Sequence, residues 1–148
     1  MSSDNDISVL NGLIKTTLDS MKGYEDAAKD AESTQYATMF ADFARDRSQV
    51  ASQLQAHVRA LGGDPEMDSS LLGAAHRSFM DLRQAITGTD DKAVILEVER
   101  GEDYIKSKYE AAMGAADLAP VTSAAIAEAY ASVRAGHDKV SALKHSLT

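Results

Sequence analysis

The stretch Val94–Met113, VILEVERGEDYIKSKYEAAM, carries Ile95, Val98, Ile105, Tyr109 and Ala112 three or four residues apart. That spacing lines one face of an α-helix. The position missing from the series is 102, a glutamate. Glu102 therefore stands mid-helix on the stripe meant for a core. A carboxylate there must be paired, coordinated or protonated, because an unpaired buried charge is very costly.

The segments on either side repeat the helical period. Upstream, Leu10, Ile14, Thr17, Met21, Tyr24 and Ala28 predict a helix over about 7–31, with Asp4, Asn5 or Asp6 able to cap it. Tyr36, Phe40, Phe43, Val50, Leu54, Val58 and Leu61 predict a second over 34–61, ended by Gly62-Gly63. Arg47 interrupts that stripe near its middle. After a turn around Pro65, Leu72, Ala75, Phe79, Leu82 and Ile86 predict a shorter helix over 71–86. The central helix spans 91–114. Pro120 opens a last one over 121–144, whose face carries Ile126, Tyr130, Val133, Val140 and Leu143, with His137 on the same stripe.

Composition agrees with this reading. The chain has 148 residues, 44% hydrophobic and 26% charged, which suits one domain with a sizeable core. No segment alternates like a strand. The expected class is all-α: a four-helix bundle whose long second connection crosses the bundle and carries the short extra helix.

Several function classes drop out. A net charge of -8 disfavours a nucleic-acid partner. Cysteine is absent, which removes disulfides, thiolate metal sites and thiol catalysis. No apolar run approaches the roughly 20 residues needed to span a bilayer. The start, MSSDNDISVL, lacks the basic and apolar segments of a secretion signal, so the expected compartment is the cytoplasm. There is no nucleophile elbow and no Gly-rich phosphate loop.

Arg47, Glu102 and His137 come from three predicted helices, each near a helix middle. Packing should bring them to one central polar layer, with Glu25, Glu99 and Arg134 at its edge. A buried Arg–Glu pair offers bidentate geometry but is weak grounds for stability, since desolvation can cancel the attraction. Gly101 and Gly136 directly precede Glu102 and His137. Close helix approach is the plainer explanation for both; a site that needs backbone room is the sharper one.

Phe40-x-x-Phe43-Ala44-x-x-Arg47-x-x-Val50-Ala51 resembles the second bundle helix of rubrerythrin- and ferritin-like proteins. Gly101-Glu102-Asp103-Tyr104 resembles the Gly-Glu stretch of their third helix, and Arg134-x-x-His137 resembles their second Glu-x-x-His. More narrowly, Leu10 to Ile14, Leu61-Gly62-Gly63, Gly73 to Arg77, Glu99 to Asp103 and His137-Asp138 resemble a small bacterial ferritin-like family of unknown function. The resemblance implies a ferritin-like bundle. It also implies a carboxylate metal centre, from which this chain departs. Of the six ligands expected, Glu102 and His137 are kept, with Glu25 a candidate from the first helix, where Thr17 and Met21 compete for the position. Arginine stands at 47 and 134, where carboxylates are expected, and a guanidinium cannot ligate a metal.

The favoured expectation is a non-catalytic bundle with no cofactor, in which Arg47 and Arg134 replace the metal and Glu102 with Glu25 or Glu99 neutralises them. It would act through its surface, on an unidentified protein partner or as a homodimer. The resemblance adds an association with stress tolerance. Leu71, Leu72, Phe79 and Met80 on the short helix offer a contact surface, or else that helix simply lids the bundle. The competing expectation is a ferroxidase- or peroxidase-like protein holding iron or manganese on Glu25, Glu102 and His137.

Overall fold

The computed structural model describes residues 3–30, 34–67, 91–115 and 117–146. Among these residues the chain is all-helical, with no strand. It forms α1 (Asp4–Asp30), α2 (Thr34–Ala60), α3 (Asp91–Met113) and α4 (Pro120–Ser146). The helix expected over 71–86 lies outside the described residues.

Each helix buries the stripe that its period sets up. In α3, Ile95, Val98, Ile105 and Tyr109 are all 1% exposed or less. In α2 the buried series runs Phe40, Phe43, Ala44, Arg47, Val50, Ala51, Leu54, Val58. The end of α2 is written in its glycines. Gly62 adopts a φ of 85°, a left-handed conformation that a side chain would disfavour. The amide of Gly63 then donates to the Val58 carbonyl, and that of Gly62 to Arg59. This is the bonding pattern of a Schellman stop.

Two apolar clusters show how the helices run. One joins Leu10, Leu13 and Ile14 of α1 with Leu54 and Val58 of α2, Tyr109 and Ala112 of α3, and Ile126 and Ala129 of α4. The other joins Tyr24 and Ala27, Phe40 and Phe43, Ile95 and Val98, and Val140. So α1 and α4 run from the first cluster to the second, while α2 and α3 run the opposite way. α1 lies antiparallel along α2, and α3 along α4; the two pairs meet more lightly, through α2 with α4 and α1 with α3. α2 ends and α3 begins at opposite ends of the molecule. Aromatic rings fill the second cluster, with Tyr24 5.1 Å from Phe43 and 5.9 Å from Phe40, centroid to centroid. Between the clusters lie Arg47, Glu102 and Gly136.

The first turn of α1 does something its sequence did not announce. By sequence, Asp6 is among the candidate caps of its own helix. Instead its buried carboxylate accepts the Ala119 amide at 3.2 Å and the Thr122 hydroxyl at 2.8 Å, and so caps α4. The hydroxyl proton of Thr122 is spent on Asp6. His57 therefore donates from Nε2 to Thr122 Oγ1, across 3.2 Å. This chain of polar groups ties α1, α2 and α4 together at one end.

Candidate functional site

Arg47 and Glu102 meet in the centre of the molecule as a buried ion pair, Nη2 to Oε1. Arg47 is 2% exposed and Glu102 1%. The second carboxylate oxygen of Glu102 accepts the Tyr24 hydroxyl at 2.7 Å. Three helices thus supply a phenol, a guanidinium and a carboxylate. α4 supplies the space for them, because a Cβ at Gly136 would stand 2.7 Å from Arg47 Nη2 and 3.1 Å from Glu102 Oε1. Gly136 is a case of close approach, as expected. Gly101 is not, since a Cβ there would meet nothing within 4 Å.

Two turns along α1 and α3, toward the other cluster, lies a second polar contact. Thr17 donates to the Leu13 carbonyl at 2.7 Å. A hydroxyl has one proton, so Tyr109 is the donor in its 2.7 Å contact with Thr17 Oγ1.

The two phenols of this core keep their protons over ordinary pH. Burial pushes the Tyr24 hydroxyl well above its usual range, and the adjacent Glu102 carboxylate pushes the same way against Arg47. Burial raises Tyr109 to about 12, opposed by the positive charge of Arg47. Both phenols therefore remain hydrogen-bond donors, and a guanidinium does not deprotonate in proteins. The charges balance one to one. Hydrogen bonding is not complete, however, because the buried Arg47 Nη1 has no partner among the described residues. Breaking a buried pair by removing one member costs roughly 3–5 kcal/mol, although the pair as a whole contributes little net stability.

The other residues expected in the layer lie elsewhere. Arg134 is 64% exposed and 3.9 Å from Asp138 on its own helix. His137 is 16% exposed and turns outward, with Nε2 2.6 Å from Asp103. Glu99 accepts from Lys144 at 3.0 Å. Glu25 is half-buried, and α1 reaches Glu102 through its neighbour Tyr24 instead. One cause explains both α4 residues. The inward series of that helix is Ile126, Ala129, Val133, Gly136, Val140. Glycine carries no apolar signal, so the stripe seemed to pass through His137, one residue along and about 100° away on a helix of 3.6 residues per turn. His57 is half-buried against Thr122.

The chemistry open to this centre is narrow. Among the described residues, no group of three or more His, Cys, Asp or Glu side chains is placed to hold a metal ion. Surface grooves of about 270 Å³ between α1 and α3 and about 380 Å³ between α2 and α4 are lined by neither Arg47, Glu102 nor Tyr24. No helix among the described residues is long and apolar enough to cross a membrane.

Fold and centre together define an all-helical protein organised around a sealed ion pair. The domain described as "Domain of unknown function (DUF2383)" is found over residues 5–115, and the chain belongs to that family. The match spans α1 to α3, which contribute Tyr24, Arg47 and Glu102, and stops before α4, which contributes Gly136. No curated protein matches the chain.

Proposed function

We propose that this protein is a non-catalytic four-helix bundle of the ferritin-like kind, in which an ion-paired core takes the place of a metal centre. It works through its outer surface rather than through chemistry at its middle. The observation that carries the reading is the Arg47–Glu102 pair with Tyr24 on the second carboxylate oxygen. The antiparallel pairs, with α2 and α3 parallel, support the crossover topology.

The residues do not fit the iron or manganese centre that the resemblance implies. Among the described residues Glu102 is the only carboxylate of the central contact, and both its oxygens are taken by protein donors. The nearest cation is the guanidinium, whose charge opposes a metal ion. His137 turns to Asp103. Among the described residues, the full set of carboxylate and imidazole donors that builds di-metal sites in such bundles is not assembled.

Elemental analysis tests the proposal, first on protein purified without chelator and then after anaerobic Fe(II) or Mn(II) loading and desalting. The expected result is no stoichiometric metal in either sample, with helicity intact. Stoichiometric metal that is lost in Glu102→Ala would overturn the reading and make oxidase and peroxidase assays the next step.

A further inference from the structure

We infer that the centre of the molecule is a guanidinium site, which the chain fills with its own Arg47. The inference deepens the ion-paired-core reading and rests on it.

Three features shape the site. Glu102 is held by Tyr24 at Oε2, which leaves Oε1 for the cation. Both acidic and phenolic partners are buried, at 1% and 2% exposure, so water does not compete for the carboxylate. Position 136 has no side chain, and the missing methyl group would lie 2.7 Å from Nη2 and 3.5 Å from the Phe43 ring edge. The volume that any other residue would fill is the volume that the guanidinium–carboxylate contact uses.

This arrangement selects among cations. A guanidinium is planar and weakly hydrated, so it gives up less on burial than an ammonium, which is a compact, strongly hydrated charge. A divalent ion requires several oxygen ligands. Here it would find one carboxylate and a phenol that keeps its proton.

The test removes the arm and returns the head. Arg47→Ala in the full chain is titrated with millimolar methylguanidinium, methylammonium and Mn(II) in separate samples, and thermal midpoints are read. The substitution lowers the midpoint by roughly 6–20 °C, the loss expected when one member of a buried pair is removed from a chain of this size. Methylguanidinium restores a substantial part of that loss and leaves wild type unchanged. If Arg47→Ala is unfolded in plain buffer, refolding on methylguanidinium alone is the same positive result.

Equal rescue by methylammonium would overturn the selectivity, and rescue by Mn(II) alone would mean that the centre is a latent metal site. Arg47→Met keeps the stem's volume without the charge, and so covers the case of an alanine variant that never folds. Wild-type stability in Arg47→Met would show that Glu102 needs no cation and would overturn the inference. Metal in the wild-type protein would sink the ion-paired-core reading by a separate measurement.

Discussion

Replacing Gly136 with alanine loads the central contact at its tightest point. The new Cβ would stand 2.7 Å from Arg47 Nη2 and 3.1 Å from Glu102 Oε1. Relaxed carbon contacts lie near roughly 3.5–4.0 Å, so the guanidinium must retreat by about 1 Å. A surface arginine would swing away freely. Arg47 is 2% exposed, and retreat takes its Nη2 off Glu102. Alanine in a helix interior gains about 1 kcal/mol over glycine, while a broken buried pair costs roughly 3–5 kcal/mol. The expected net loss is about 2–4 kcal/mol. Gly101→Ala is the internal control. Its Cβ meets nothing within 4 Å, so the helix-propensity gain of about 0.5–1 kcal/mol should appear undiminished. Urea unfolding of both variants and wild type, fitted with a common slope, reads the difference directly. The two substitutions must move the midpoint in opposite directions. If Gly136→Ala is as stable as Gly101→Ala, the account of the centre is wrong.

Other consequences follow from the same contacts. Tyr24→Phe removes the donor on Glu102 Oε2 and should cost about 1–3 kcal/mol, as an unsatisfied buried acceptor does, with far-ultraviolet circular dichroism unchanged. Asp6→Ala strips the Ala119 amide and the Thr122 hydroxyl of their acceptor; a loss of about 1–2 kcal/mol is expected, with faster amide exchange confined to the first turn of α4. Alkali should unfold the protein. Tyr109 is raised from 10.0 to about 12, so the stability it contributes is complete below pH 10, where the unfolded chain keeps its proton too, and falls away as pH climbs toward 12. Tyr24 is shifted in the same direction. Tyrosinate absorbance for these two residues should therefore rise together with loss of helicity; full ionisation of both in folded protein would refute the assignment. Asp103→Ala, at the exposed partner of His137, should cost less than about 1 kcal/mol by the same urea assay.

The all-α class was legible from period alone. Apolar residues at three- and four-residue spacing, with Gly62-Gly63 and Pro120 as punctuation, are local signals that need no partner. Arg47 and Glu102 stood out for the same reason, because each breaks an otherwise apolar stripe near a helix middle. Which helices bring their partners was not a local matter. Tyr24 looks like any core aromatic until its hydroxyl is found on Glu102. Gly136 reads as a point of close helix approach, but it has no side chain to mark it as part of the apolar stripe, and leaving it off that stripe moves His137 and Arg134 one position too far inward. Asp6 reads as the cap of its own helix, but only the approach of α4 shows which free amides it satisfies. The sequence by itself determined the helices and the two charged residues at their centre, since periodicity and burial cost are properties of a segment. The tertiary structure decided who meets whom, since pairing across helices depends on rotations of about 100° per residue that a stripe of alternative positions leaves open.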